Sequence, residues 1–273
     1  MFMLQFYQEL PSHLSSTVFT IGNFSLYWYS VMWIVAFAVG YTLLIYRIKK
    51  GEGSYNKEFI QNIVMYGLIG AIIGGRIGYV LFYDLQYYIA HPLEIVSPYS
   101  FSLGEWVGIY GMSYHGGLIG VIVALMWTVH KDKKDVLEVG DFVAPVVPIG
   151  YFFGRVGNFM NEELFGRVTE SAFGMYFTGE TALRYPSQLY EGFFEGIVLF
   201  CVLWSIRNKK YKKGTLSALY LLGYAITRFF VEYFRAPDEH LGFVFGEWSM
   251  GQILSIIMFF ASGSFLLWVY KKQ

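Results

Sequence analysis

Seven stretches of this 273-residue chain are apolar over the length that crosses a bilayer, about 20 residues. They run roughly over 24–46, 58–82, 113–130, 138–159, 188–206, 215–234 and 248–270. No other feature constrains the fold as much. Hydrocarbon offers no water to backbone N–H and C=O groups, so a spanning segment must satisfy them internally. Segments this long predict helices and hence an all-α, polytopic membrane protein with residues 1–273 forming one transmembrane domain. The composition agrees: 55% hydrophobic, 21% aromatic and only 15% charged, where a soluble domain carries about 25% charged residues. A soluble enzyme and a disordered chain are both excluded. Twenty basic and twenty acidic residues balance, so no nucleic-acid partner is expected. The single Cys201 excludes a disulfide framework and a cysteine metal site. Residues 1–20 lack a basic start followed by an apolar run, so no cleavable signal is expected.

Basic residues set the expected direction. Arg47, Lys49, Lys50 and Lys57, then Lys131, Lys133 and Lys134, then Arg207, Lys209, Lys210, Lys212 and Lys213, and finally Lys271 and Lys272 all fall on one side of the seven spans. Arg167, Arg184 and Arg235 alone fall on the other. The positive-inside rule then puts the N-terminus outside and the C-terminus in the cytoplasm. Arg76, Arg155 and Arg228 lie within spans, where an arginine costs at least about 2.5–3.5 kcal/mol at the bilayer centre. Such residues need partners or a function.

With these directions, the polar groups of all seven spans converge on the outer half of the membrane. Tyr29 lies early in the first span, Arg76 late in the second, and His115 opens the third. Arg155 and Asn158 close the fourth, while Gln188 and Glu191 open the fifth. Arg228 and Glu232 lie late in the sixth, and Glu247 and Gln252 flank the start of the seventh. Helical spacing groups them further. Arg155 and Asn158 share a face, as do Gln188, Glu191 and Glu195, and Tyr224, Arg228, Glu232 and Arg235 make one stripe. Gly70, Gly74 and Gly78 form a small-residue groove for a neighbouring helix.

Each of these residues also has a plainer reading. Arg228 and Glu232 form an internal ion pair, Arg76 snorkels to headgroups, His115 is a hydrogen-bonded structural residue, and Gly116, Gly117 and Gly120 serve helix packing. Their joint occurrence in one leaflet favours a one-sided polar cavity. Two arginines on facing helices suit a phosphate, because guanidinium makes paired, charge-assisted bonds and stays charged when dehydrated. At this depth the phosphate is that of a lipid headgroup. No metal site or cofactor is expected, and no GxSxG elbow occurs. The residues alone leave open a transferase whose second substrate brings the nucleophile, or a lipid or anion transporter. A transporter would carry polar groups in both leaflets and often repeated halves. An intramembrane protease lacks the paired groups it needs.

Four motifs narrow the choice. Tyr114-His115-Gly116-Gly117-Leu118-Ile119-Gly120, the run from Gly154-Arg155-Val156-Gly157-Asn158 to Gly166-Arg167, Tyr185-Pro186-Ser187-Gln188-Leu189-Tyr190-Glu191, and Arg228 through Asp238 closely resemble signatures of the bacterial phosphatidylglycerol–prolipoprotein diacylglyceryl transferase family. The resemblance runs from Trp28-Tyr29 to the last span. Two small departures are Tyr114, where the family often has Phe, and Glu162, where Gly is common.

The resemblance implies a transferase of the bacterial cytoplasmic (inner) membrane with its site toward the outer leaflet. It implies transfer of the diacylglyceryl group from phosphatidylglycerol to the lipobox cysteine thiol of a preprolipoprotein, releasing glycerol 1-phosphate. Outer loops 83–112 and 160–187 are then arm and head elements over the cavity. The expected catalytic residues are His115, Arg155 and Arg228. Arg155, Asn158, Tyr29, Gly166, Arg228 and Glu232 are expected to hold the lipid, with Arg76, Glu163, Gln188, Glu191, Tyr224 and Arg235 in support. A free thiol titrates near about 8.5 and a histidine near about 6.5, which makes His115 the candidate base or else a headgroup-orienting residue.

Overall fold

The computed structural model describes residues 2–22, 24–102, 104–106, 111–237 and 242–272. Part of the expected arm loop, Asp238 of the fourth motif and Gln273 therefore lie outside the described residues.

The chain is mostly helical. Helix α1 (Phe2–Gln8) leads to a hairpin of β1 (Thr17–Ile21) and β2 (Phe24–Tyr27), which runs directly into α2 (Trp28–Lys49). Then come α3 (Lys57–Phe82), the short α4 (Leu85–Ala90) and a 3-10 turn at Pro92–Ile95. A second hairpin pairs β3 (Tyr99–Ser100) with β4 (Glu105–Trp106). Next are α5 (Tyr114–Lys131), α6 (Val136–Val143), α7 (Val147–Met160) and α8 (Ser187–Glu191). A π-helical turn, Gly192–Val198, joins α8 to α9 (Leu199–Ile206). Then follow α10 (Thr215–Val231), a third hairpin of β5 (Phe243–Phe245) and β6 (Trp248–Ser249), and α11 (Met250–Lys272).

Every expected span is helical, but the seven are not equal. Among the described residues four helices are long and apolar enough to cross a membrane: α2, α3, α8 through α9, and α11. The fourth expected span is a bent pair, α6 and α7, meeting at 51°. Pro145 lies in the break, where its ring and missing N–H interrupt the helical bonds. Helix α10 is apolar but short, at 17 residues. Helix α5 is not among the four, its glycines, two histidines and terminal lysine diluting its apolar content.

The chain is mostly helical, as the all-α expectation has it, and its strands are confined to the three short hairpins. Residues 24–27 and 248–249 are strand rather than the start of a span. Their aromatic residues and Leu26 merge with the apolar runs that follow, so hydropathy alone cannot separate them. The sixth span also ends earlier than expected, with Glu232 as the C-cap of α10.

The chain forms two compact units. In the unit Arg47–Val139, α3 and α5 pack through glycines. A Cβ at Gly74 would collide with Gly116 O and lie 2.8 Å from Gly120 Cα, and one at Gly120 would meet Gly70 O. The glycine groove of α3 therefore receives the glycines of the HGGxxG segment. Asn56 caps α3 by accepting from Phe59 N at 2.8 Å, and Ser113 caps α5 by accepting from Gly116 N at 3.2 Å.

In the unit Met1–Tyr46 with Gly140–Gln273, α7 packs against α2 and the π-helical turn, again at glycines. A Cβ at Gly157 would sit 3.1 Å from Tyr29 Cα, and one at Gly196 would sit 2.7 Å from Phe152 Cβ. The expected head, residues 160–187, covers a small core of Phe159, Met175 and Phe177, with Tyr7, Leu10 and Leu14 packed on it from the N-terminal segment. Asp141 of α6 accepts from Gly214 N and Ser217 N, both at 2.8 Å, capping α10 from another helix.

Candidate active site

Within the second unit described, one carboxylate organises the buried polar groups. Glu191, at the end of α8, is fully buried. Its Oε2 lies 2.7 Å from Arg228 Nη1 on α10 and 3.2 Å from Arg155 Nε on α7, and accepts from the Tyr151 hydroxyl at 3.1 Å. Arg228 Nη2 also meets Glu232 Oε2 at 2.8 Å, one turn along the same helix, and Glu195 stands 3.8 Å from Arg228 Nη1. Removing a charged group from water costs several kcal/mol, so these guanidinium and carboxylate groups must neutralise one another. The ion-pair reading of Arg228 and Glu232 is therefore present, but inside a larger network on α7, α8, the π-helical turn and α10.

The network continues outward from Arg155. Its Nη1 donates to Asn158 Oδ1 at 3.1 Å, Asn158 Nδ2 donates to Glu163 Oε1 at 2.7 Å, and Gln188 Nε2 donates to the Glu163 carbonyl at 2.7 Å. Its guanidinium also lies 4.8 Å over the Tyr151 ring. Nη2 of Arg155 makes no hydrogen bond among the described residues. At the other end Glu232 Oε1 accepts from Ser249 Oγ at 2.9 Å, and a Cβ at Gly251 would lie 2.5 Å from the same oxygen. A glycine in the first turn of α11 thus makes room for the carboxylate of α10.

The head is tied to this network through backbone. Gly166 bridges Arg235, and a Cβ there would collide with Phe234 O and lie 2.8 Å from Tyr185 O. The close approach expected of Gly166 is thus between chain segments. Arg167 Nε donates to Arg235 O at 2.8 Å and Nη2 to Glu232 O at 3.2 Å, fastening the head to the end of α10.

The structure therefore gathers Arg155, Asn158, Glu163, Gln188, Glu191, Arg228 and Glu232 into one bonded chain. Tyr224 stands edge-on to Tyr151, with ring centres 5.7 Å apart, and Tyr29 packs edge-on against Trp33 at 6.2 Å. Tyr151, Arg167, Ser249 and Gly251 were not expected to take part. Tyr151 carried a readable signal, four residues before Arg155 on one helix face. Ser249 and Gly251 carried none, since their partner lies 17 or more residues away.

His115 and Arg76 belong to the other unit. His115 is exposed there, in the first turn of α5, with Tyr114 edge-on at 5.7 Å and no hydrogen bond among the described residues. Arg76 is buried and holds three backbone carbonyls: Ile95 O at 2.7 Å, Glu94 O at 2.5 Å and Gly111 O at 3.3 Å.

A buried and a partly buried arginine aimed at one anion, with a spare guanidinium nitrogen, are a device for a phosphate or carboxylate. Comparison with known proteins is specific about the relatives. The family described as prolipoprotein diacylglyceryl transferase matches residues 16–269. A phosphatidylglycerol–prolipoprotein diacylglyceryl transferase of Chlorobaculum tepidum is 48% identical over 270 residues, covering 97% of this chain and 93% of its own. Proteins of the same name from Pseudoalteromonas atlantica and Legionella pneumophila are 44% and 43% identical. They cover 99% and 95% of this chain, and 94% and 98% of their own lengths. The chain belongs to the prolipoprotein diacylglyceryl transferase family.

Proposed function

We propose that the protein transfers the diacylglyceryl group of phosphatidylglycerol to the lipobox cysteine of a preprolipoprotein, the first step of bacterial lipoprotein maturation. The cysteine sulfur attacks the glyceryl carbon next to the phosphate, a thioether C–S bond forms, and the C–O bond breaks. The bonding pair leaves with glycerol 1-phosphate, and the thiol proton passes to a base. No cofactor is required. The observation that carries this reading is the Glu191 carboxylate held between Arg155 and Arg228. It fixes two guanidinium groups on separate helices against one anionic group, the kind of contact that a phosphate would make.

Arg155 and Arg228 then bind the phosphate and stabilise the charge that grows on the leaving group, which is largest in the transition state. Asn158, Glu163 and Gln188 hold Arg155 in place, while Glu232 holds Arg228. Tyr29, Tyr224, Gly166 and Arg235 shape the surrounding lipid-binding wall. His115 takes the thiol proton. The whole chain acts as a single transmembrane catalytic domain in the inner membrane, with seven spans, its N-terminus outside and its site toward the outer leaflet. One family match running across both units supports the single domain.

The test is transfer of radiolabelled diacylglycerol from phosphatidylglycerol vesicles to a lipobox peptide, for wild type and Arg155→Lys. Lysine keeps the charge but loses the planar fork. We expect at least about a tenfold loss of turnover with normal membrane insertion, equivalent to about 1.4 kcal/mol of transition-state binding. Near-normal turnover in the variant would remove Arg155 from the phosphate site, and no transfer by wild type would end the enzymatic reading.

A further inference from the structure

The unit Arg47–Val139 holds a second polar knot that the phosphate chemistry does not use. Its centre is Arg76, whose three guanidinium nitrogens each reach a backbone carbonyl. Two of those carbonyls, Glu94 and Ile95, belong to the 3-10 turn of the arm, and the third, Gly111, belongs to the lead-in to α5. The Tyr88 ring closes over the guanidinium at 4.8 Å. The arm turn is in turn held by its own side chain. Glu94 accepts from the Tyr87 hydroxyl at 2.6 Å, from Ser102 N at 3.0 Å, and from Ser100 Oγ at 3.3 Å.

The lead-in has little freedom of its own. Gly111 has a φ of +77° and lies flat on the Tyr79 ring, where a Cβ would collide. Ser113 N donates to Gly75 O at 2.8 Å, and Met112 covers Gly75. Residues 75 and 76 of α3 thus grip residues 111 and 113. His115 follows two residues later and has no hydrogen bond among the described residues to orient its ring. Where the first turn of α5 starts therefore sets where the imidazole stands, with the Tyr114 ring edge-on beside it.

We propose that Arg76 is a positioning residue for His115, joining the arm turn and the start of α5 into one rigid clasp. The proposal rests on the reading of His115 as a reacting group. A lysine at position 76 would keep the charge but cannot present three in-plane donors to three carbonyls. Displacement of a reacting group by about 1 Å can cost about a hundredfold in rate.

Two measurements on the full-length protein in phosphatidylglycerol-containing micelles test this. The first is hydrogen exchange in Arg76→Lys. Protection is expected to fall together at 93–97 and 111–116 while residues 60–72 of α3 stay protected. Loss confined to the arm, with 111–116 unchanged, overturns the clasp. The second is a double-mutant cycle with His115→Gln. Arg76→Lys should lower kcat about tenfold at unchanged KM for phosphatidylglycerol, yet change the His115→Gln enzyme by less than about twofold. Effects that multiply would show that Arg76 acts apart from His115 and would overturn the proposal. Should His115→Gln alone transfer at the wild-type rate, the catalytic reading of His115 falls. The exchange data then decide alone whether Arg76 fixes the start of α5.

Discussion

Single residues in this protein are set by backbone as often as by chemistry. Glu162 has a φ of +55°, a left-handed conformation that costs a side-chain-bearing residue about 1–2 kcal/mol. Glycine would adopt that backbone without the cost. Glutamate repays part of the strain by accepting from Thr178 N at 2.6 Å and Thr178 Oγ1 at 2.9 Å, which fastens the head loop. His115 is the opposite case, a residue without a hydrogen bond among the described residues, and its chemistry is the more exposed to test. If it is the base, His115→Gln should fold and transfer poorly at neutral pH, because glutamine cannot accept a proton. As pH rises toward the thiol's own value of about 8.5 the nucleophile ionises unaided, so the variant should recover toward wild type. Transfer rates from about pH 6.5 to 9 with saturating lipid measure this. A flat ratio of variant to wild type would leave His115 only a headgroup-orienting role.

Helix faces were readable in the sequence because one spacing rule governs both the stripe and its partner. The α3 glycines foretold a close neighbour, and the structure supplies α5. Gly74→Ala places a methyl against Gly116 O and Gly120 and should destabilise the protein by about 1–3 kcal/mol. Gly67→Ala meets nothing within 4 Å and should be neutral or stabilise by up to about 1 kcal/mol. Thermal unfolding of both variants in detergent decides whether the groove is the contact, equal effects counting against it. The arm was less readable, since Glu94 meets Ser100, Ser102 and Tyr87 through turns too short for any periodicity. Tyr87's hydroxyl, ahead of the Ser102 amide, holds the Glu94 carboxyl below its usual value of 4.5 against the opposing effect of burial. A depressed folded-state pKa means that Glu94 stabilises the arm fully above the ordinary carboxylate range. That contribution is lost as pH falls through the lowered value. Exchange protection of 84–102 should therefore drop below about pH 4.5 in wild type and be pH-independent in Glu94→Gln. The same acid loss in both would place the effect elsewhere.

At the scale of the molecule, each of the seven hydropathy windows holds helix, while the hairpins and the link from head to helix end depend on partners that no window of sequence contains. Arg167 reaching Glu232 O across 65 residues is such a link. Charge is the remaining whole-molecule signal, and it makes the span count testable. Helices α5 and α10 are the two that fall short on length or apolar content, so a chain with only five crossings would leave their flanks on one side. Seven crossings require Ser97, in the connection ahead of α5, and Lys133, just after α5, to face opposite compartments. Lys133, Lys213 and the C-terminus, amid fourteen lysines and arginines, should face the cytoplasm, where the positive-inside rule holds short basic connections. Paired phosphatase and fluorescent-protein fusions at Ser97, Lys133, Lys213 and Gln273 read this directly. We expect phosphatase activity only at Ser97 and fluorescence at the other three. If Ser97 and Lys133 report the same side, α5 does not cross and His115 loses its outer-leaflet position. If the C-terminus joins Ser97 on the external side while Lys213 stays cytoplasmic, α10 or α11 fails to cross, and a failure of α10 would keep Arg228 and Glu232 from sharing a leaflet with the substrate phosphate.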